Sequence, residues 1–297
     1  MPLVYVLASR LLAGAGIPAL PIKGPVSDAY ALRQRHSSVD VDVLIAPSDV
    51  DAACRIFRSV GFEFATIHEG TRILPEHSVV LEHGQWPCQI DLHWLFPGIF
   101  ADSQAAFEAL YQRTAEVAIA GVGVKAPDFV ASLLITALHY LRDAPKRVEE
   151  LRHLEERVAS LSQADRRDFA TLAVSVGATY AVQPLLPSCS LGGDVSKRQR
   201  RSWDLRVAYA DSPLAPLVAV LAGLDRRPSA FWRMFWPSNR ALAATHPELR
   251  SARTRLRHRL RRLRRGLSNL IGSARGAAPS MPARRPPLQR NARSRQR

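Results

Sequence analysis

The stretch VDVDVLI, residues 39–45, decides the fold because acidic and apolar side chains alternate along it before an apolar end. This period of two predicts a β-strand whose valines face a core while Asp40 and Asp42 share the opposite face. Two adjacent carboxylates repel each other, and a bound divalent cation such as Mg²⁺ removes that penalty. An exposed strand with two solvated aspartates fits the same pattern, so the motif alone leaves both interpretations open.

A second predicted strand, residues 88–94, brings a third acid. Asp91 and His93 lie two positions apart on one face of it, while the apolar residues between and before them face the other way. If the two strands are neighbours, Asp91 converges on the aspartates of the first strand. Asp91 also fits a strand end that caps a loop, and His93 fits a carboxylate-orienting group, a substrate contact or a half-buried core histidine.

The third motif is the Lys23-Gly24 turn, between a predicted strand at residues 17–22 and a predicted helix at 26–34. Glycine lets the backbone approach a phosphate, and the start of a helix favours anions. Lys23 would add a positive charge. The spacing is not that of a P-loop, and an ordinary surface turn fits this motif when it is taken alone.

The remaining pattern predicts an α+β fold: a small mixed β-sheet with flanking helices, then a helical region and a disordered basic tail. The corresponding domain prediction is an α/β core at 1–125, a mainly helical region at 126–248 and an arginine-rich tail at 249–297. The elements expected beyond the three motifs are helices at 3–13, 48–60, 103–113, 128–142, 146–160, 163–176, 199–210 and 213–223, strands at 62–67 and 78–82, and a β-ribbon at 116–125.

Taken in order, the motifs resemble the uncharacterised nucleotidyltransferase family of the polymerase-β-like superfamily, over about residues 5–160. The residues that carry the resemblance are Lys23-Gly24, Arg33 or Arg35, the DVDVLI of 40–45, Gly61-Phe62 and the IDLHW of 90–94. The resemblance implies transfer of a nucleoside monophosphate from an NTP to an acceptor, which is a small molecule, a peptide or a protein, with release of pyrophosphate.

The resemblance also assigns roles by position. Asp40 and Asp42 would bind Mg²⁺ or Mn²⁺, with Asp91 as the third acid that assists the metal or deprotonates the acceptor. Lys23, Gly24 and Arg35 would contact the nucleotide, and His93 is a candidate substrate contact. The superfamily's usual Gly-Ser turn is replaced here by Lys-Gly-Pro. That departure motivates an alternative function, a catalytically silent nucleotide-binding or scaffold protein.

Charge is concentrated at one end of the chain. Of the 41 basic residues, 16 arginines lie in 249–297, where there is no acid, whereas the first 248 residues hold 25 basic and 26 acidic side chains. The high pI therefore belongs to the tail. Leucines at helical spacing within 249–265 predict a basic helix for an acidic partner, a nucleic acid or an anionic membrane surface. A solvated arginine-rich tail with no partner fits the same composition.

Cysteine content and hydropathy bear on the compartment. The three cysteines, Cys54, Cys88 and Cys189, are far apart and form no CxxC pair. We therefore expect a reducing compartment and a cytoplasmic location. No uncharged apolar run reaches the roughly 20 residues that span a bilayer, so we expect no transmembrane segment.

Overall fold

A computed structural model describes residues 1–34, 40–65, 77–186, 192, 195–208, 236, 242 and 251–275. Its contacts divide the chain into two compact units, Met1–Met234 and Phe235–Arg297. The first unit contains every motif of the proposed site, and the second contains the basic helix.

A five-stranded mixed sheet forms the centre of the first unit. Its strands are β1 (Ala19–Ile22), β2 (Asp40–Ile45), β3 (Phe62–Phe64), β4 (Ser78–His83) and β5 (Gln89–His93), and their spatial order is β1-β2-β5-β4-β3. The β2–β5 pair is parallel and the other three pairs are antiparallel. The predicted neighbours, the two strands that carry acids, are thus directly paired.

A separate hairpin and nine helices surround this sheet in the described part of the first unit. The hairpin strands are β6 (Thr114–Ile119) and β7 (Val122–Pro127). The helices are α1 (Pro2–Gly14), α2 (Gly24–Ala29), α3 (Val50–Ser59), α4 (Ser103–Tyr111), α5 (Phe129–Arg142), α6 (Val148–Ala159), α7 (Gln163–Ser175), α8 (Thr179–Val182) and α9 (Lys197–Ala208). The predicted helix at 213–223 lies outside the described residues.

Two apolar clusters cover opposite faces of the sheet. The first contains Val41 and Val43 of β2 with residues of α1 and α3, as the alternation of the strand predicts. The second contains Leu44 and the long apolar helix α5 together with α7 and α8. The acids of β2 and β5 share the Leu44 face, so the site forms on the α5 side of the sheet.

Helix α2 ends earlier than the predicted 26–34. Ala31 takes a left-handed backbone with φ of 53°, and the Leu32 amide donates back to the Ser27 carbonyl at 2.9 Å. This is a helix-ending turn of the kind that usually uses glycine. It turns Leu32 into the core, where its side chain is fully buried. The stability gained by burying Leu32 outweighs the stability of a helix continued to residue 34, which the sequence spacing favours.

The second unit contains one long helix, α10 (Ala252–Arg275). The prediction placed a helix at 249–265 and disorder from about 266, so the helix continues ten residues beyond its expected end. Leu267 and Leu270 continue the apolar spacing, which gives a reason for the extension. Residues 276–297 lie outside the described residues. Within the described ranges, no helix has both the length and the apolar character needed to cross a membrane.

The predicted α+β architecture is confirmed. The proposed boundary between 125 and 126 stays a prediction. Leu20 and Leu44, from the first side of that boundary, share one apolar cluster with Leu134 and Phe169 from the other.

Candidate active site

The site forms where β2 and β5 lie side by side. In this parallel pair Asp42 lies directly opposite Asp91, and Leu44 lies opposite His93. Successive side chains of a strand point to opposite faces, so Asp42, Asp91 and His93 emerge on one face. We call these three residues the carboxylate cluster.

A single histidine nitrogen joins the two acids. His93 Nε2 lies 2.9 Å from Asp42 Oδ1 and 3.1 Å from Asp91 Oδ2. On the other side, Lys23 Nζ donates to Asp42 Oδ1 at 2.5 Å. Asp42 is 7% exposed and His93 only 2%, so these charges meet in a dry environment where their interactions are strong.

The carboxylates stay ionised despite their burial. Burial by itself would raise the pKa of Asp42, but the His93 hydrogen bond and the Lys23 charge outweigh it and hold that pKa well below its usual range. Burial is likewise outweighed at Asp91, where hydrogen bonds from His93 and Ser78 lower the pKa. Burial would lower the pKa of His93, yet its two carboxylate partners raise it.

Asp40 occupies a different position. It begins β2, its side chain is exposed, and it does not join the group of closely spaced ligand atoms. Burial raises its pKa, and repulsion from Asp42 and Asp91 raises it further, as expected for acids on one face. Asp40 also lines a cavity of about 690 Å³ together with Trp86 and Gln89. Its predicted role as a metal ligand stays a prediction.

The Lys23-Gly24 turn follows β1 and faces the cluster. Lys23 has a φ of 58°, an uncommon backbone for a side-chain-bearing residue, and it directs its ammonium to Asp42. A Cβ at Gly24 would overlap the Tyr5 hydroxyl, so only glycine fits the close approach between this turn and α1. The Ser27 hydroxyl bonds Thr136 inside the core at 3.1 Å.

Tyr5 is a part of the site that sequence reasoning missed. Its hydroxyl accepts the Asp42 amide at 3.3 Å and lies 3.4 Å from the Ile22 carbonyl, so it joins the ends of β1 and β2. Burial raises the pKa of Tyr5, and the nearby Asp42 charge raises it further, which keeps the hydroxyl neutral. Tyr5 lies on α1 among ordinary apolar residues, and no motif marks it.

The structure describes one of the two arginines that carry the resemblance. Arg33 makes a two-pronged ion pair with Asp28, with contacts of 2.6 and 2.9 Å. Arg35, the predicted nucleotide contact, lies outside the described residues.

The donor set suits a divalent cation. A carboxylate oxygen of Asp42, a carboxylate oxygen of Asp91 and a ring nitrogen of His93 all lie within 4.8 Å of one another. Asp91 Oδ1 is buried without a hydrogen-bond partner, an unsatisfied state that a bound cation would relieve. Carboxylate oxygens are the ligands that Mg²⁺ prefers, whereas imidazole is better suited to other metals. The two acids could therefore hold such an ion, and His93 hydrogen-bonds both of them.

Residues 6–189 match the family described as uncharacterised nucleotidyltransferases. The match covers more than half of the chain and includes β1 to β5, the turn and the carboxylate cluster. The chain belongs to this family. The predicted family and the broad activity, nucleotidyl transfer, are thereby confirmed.

Several solved structures are similar in part. The antibiotic-resistance factor ANT(2'')-Ia is 18% identical, with a TM-score of 0.38 over 63% of this chain and 95% of that one. The same protein in complex with adenylyl-2''-tobramycin gives 18% and 0.38 over 59% and 98%. The lincosamide antibiotic adenylyltransferase LnuA, bound to lincomycin, gives 15% and 0.33 over 58% and 94%. No curated protein sequence matches the chain.

Proposed function

We propose that the chain is a Mg²⁺-dependent nucleotidyltransferase in which Asp42 and Asp91 hold the metal. An acceptor oxygen would attack the α-phosphorus of an NTP, a new P–O bond would form, and the bond to pyrophosphate would break. Mn²⁺ would serve in place of Mg²⁺. The single observation that carries this proposal is the register of β2 and β5, which sets two ionised carboxylates side by side.

The ion, when bound, would supply positive charge that stabilises the phosphate oxygens in the transition state. The chain's own residues would do the rest. Asp42 and Asp91 would fix the ion, Asp40 would add a further carboxylate at the open end of β2, and Asp91 would also draw the acceptor proton. His93, held by both acids at 2.9 and 3.1 Å, would keep their oxygens aligned.

Lys23 would have two partners during the cycle. Without nucleotide its ammonium neutralises Asp42. Because one carboxylate oxygen receives both Lys23 and His93, the ammonium must leave when a cation binds there. The triphosphate, placed by the Gly24 turn, offers it a new negative partner. The positive charge thereby would move from the acid to the departing pyrophosphate.

Pyrophosphate release with each α-labelled NTP, Mg²⁺ and a panel of acceptors tests this function. We expect activity from the wild type and a large loss of activity in folded Asp42→Asn or Asp91→Asn. Asp51→Asn is the matched control, because Asp51 is an exposed acid on α3 away from the cluster. Full activity of folded Asp42→Asn would contradict the proposal.

The alternative is a catalytically silent nucleotide-binding or scaffold protein. The Lys23–Asp42 ion pair favours the silent protein, because the Lys23 ammonium already occupies the carboxylate that catalysis requires. Calorimetry with Mg²⁺ and NTP distinguishes the two functions. Tight nucleotide binding with no release of pyrophosphate from the NTP in the presence of any acceptor, including water, supports the silent protein.

We further propose that α10 associates with a polyanionic surface, either an acidic partner, a nucleic acid or an anionic membrane. This helix has no acidic residue, and its leucines at 256 and 260 are 45% and 50% exposed. Apolar side chains among exposed arginines suit a surface that combines negative charge with an apolar layer. The cytoplasmic location stays a prediction.

A further inference from the structure

A second cavity, of about 420 Å³, lies between the loop after β5 and the helix α9. We call it the α9 cavity. Its wall combines three aromatic side chains, of Phe96, Phe100 and Trp203, with several polar and basic ones. The lining residues that matter here are His77, Phe96, Arg198, Ser202, Trp203 and Arg206.

Close packing holds the two walls of the α9 cavity together. Gly98 has a φ of 98°, and a Cβ there would come within 2.8 Å of the Trp203 ring. Gln199 Nε2 donates to the Phe100 carbonyl at 3.1 Å. Trp203 is itself 6% exposed and belongs to the main apolar cluster. The cavity is therefore a built feature between ordered elements.

Arg206 is the half-buried basic group of the α9 cavity, whereas Arg198 is exposed. Within the described part of the chain, no hydrogen bond or ion pair is formed by the Arg206 guanidinium. Burial lowers the pKa of Arg206 to about 10, Arg142 lowers it further, and Asp143, which is ion-paired with Arg142, raises it. A guanidinium held in a recess is a site for a planar anionic group, which it binds through two parallel hydrogen bonds.

The α9 cavity adjoins the carboxylate cluster. The His77 ring, in the cavity wall, lies 5.8 Å from the His93 ring, and the Phe96 ring lies 5.9 Å from it. Across the sheet the order is Lys23 after β1, the acids on β2 and β5, and then His77 before β4. The Lys23 ammonium lies 5.5 Å from the centre of the Phe96 ring, so the turn proposed for the triphosphate and the α9 cavity are both close to the acids.

The helix that forms the basic wall lies beyond the family match. That match ends at residue 189, whereas α9 spans Lys197–Ala208. The catalytic acids and the loop after β5 belong to the matched part. The α9 cavity therefore combines residues of the family match with residues that lie outside it.

We propose that the α9 cavity binds the acceptor, and that the acceptor carries an anionic group such as a carboxylate, sulfate or phosphate on a flat apolar body. The anionic group pairs with Arg206, and the apolar body lies in the cavity between the loop after β5 and helix α9. The acceptor's hydroxyl then points past His77 to the carboxylate cluster. This inference rests on the proposed function, because only a transferase needs an acceptor.

The transfer balances without any further reactant. The acceptor oxygen forms a bond to the α-phosphorus as the α–β bridging bond breaks. Pyrophosphate leaves with the bonding electrons, and the hydroxyl proton passes to Asp91 and then to water. The acceptor's anionic group keeps its charge throughout, so Arg206 orients the acceptor and takes no part in bond exchange.

The test measures binding of para-hydroxybenzoate and of its neutral analogue para-hydroxybenzamide to the full chain by ligand-observed NMR. The wild type should bind the carboxylate about tenfold more tightly than the amide, since a charged hydrogen bond is lost with the amide. Arg206→Gln should abolish that preference, and Arg206→Lys should restore part of it. Arg201→Gln, an exposed arginine on the same helix, is the control and should bind like the wild type.

The measurement is repeated with Mg²⁺ and a non-hydrolysable ATP analogue. Simultaneous binding of analogue and carboxylate supports an acceptor site, whereas displacement of the carboxylate by the analogue overturns it. Equal binding of carboxylate and amide to the wild type, or the same preference in Arg206→Gln, also overturns it. Because this binding needs no turnover, its failure is distinguishable from a failure of Asp42→Asn to stop pyrophosphate release.

Discussion

The carboxylate cluster and α10 handle charge in opposite ways. In the cluster every charge has an opposite partner within about 3 Å, and the groups are largely buried. In α10 a 24-residue helix has no acidic residue at all. Fixed pairs define the position of a few atoms, whereas a row of like charges attracts any polyanion without defining its position. One substitution should therefore disable the cluster, and only removal of many residues should disable the helix.

The largest expected effect is the loss of Asp42. Asp42→Asn removes the charge that we propose to bind the metal and leaves Lys23 without its partner, so we expect pyrophosphate release to fall by about a thousandfold. The measurement is single-turnover pyrophosphate release in Mg²⁺ and again in Mn²⁺. A loss of activity smaller than about tenfold in both metals would contradict the contrast with α10, because the carboxylate cluster would then tolerate the removal of one charge.

Deletion of residues 249–297 is next in size. On heparin or anionic vesicles, affinity should depend steeply on salt for the whole chain and little on salt for the deletion variant. Each charge contact contributes about −0.9 to the slope of log affinity against log salt, so Arg257→Ala alone should change the slope by about one. If Arg257→Ala removed as much affinity as the deletion, a specific contact would replace the distributed charge inferred here.

The stability of the cluster should depend on pH in a defined direction. The pKa values of Asp42 and Asp91 are lower in the folded chain than the ordinary 3.8, so between those values the unfolded chain binds more protons. Their contribution is present above pH 4 and is lost as the pH falls through the folded pKa values. Denaturant unfolding of the wild type and Asp91→Asn from neutral to acid pH measures it, and Asp91→Asn should show the flatter profile.

His93 contributes with the opposite sign. Its pKa is raised above the ordinary 6.5, so its contribution is present below that pH and is lost as the pH rises through the folded pKa. His93→Gln should therefore flatten the alkaline side of the same stability curve. An unchanged alkaline side would mean that His93 is neutral in the folded chain.

The smallest expected effect belongs to Tyr5. Tyr5→Phe removes the hydroxyl that accepts the Asp42 amide, and we expect a loss of about 1 kcal/mol in the free energy of unfolding. Thermal or urea unfolding measures this loss.

Alternation and spacing were sufficient for much of the fold. The two acid-bearing strands are paired as predicted, since an apolar face at every second residue leaves a strand few choices of orientation. The turn at Lys23 and the β6–β7 ribbon are also present near their expected positions. Helix α2 was predicted too long, because the burial of Leu32 depends on packing that local spacing does not contain.

The site was harder to predict than the strands. Sequence spacing places Asp40 and Asp42 on one face equally, but only the structure separates the buried Asp42 from the exposed Asp40. It assigns His93 to both acids, where the sequence left three roles open. Tyr5 contacts Asp42 across 37 residues of sequence, and Arg206 lies beyond the residues that match the family. Both positions depend on tertiary contacts, which no local sequence pattern reports.

The parallel register of β2 and β5 has one more consequence. Val41, Val43, Ile90 and Leu92 are each at most 1% exposed on the far face of these strands. A pairing shifted by one residue would turn the aliphatic side chains of one strand onto the face that carries the acids, and would place its acid in the apolar cluster of Val41 and Val43. Hydrophobic burial thus enforces an alignment that two like charges would by themselves oppose. The spacing of the two acids therefore follows from apolar contacts on the opposite face of β2 and β5.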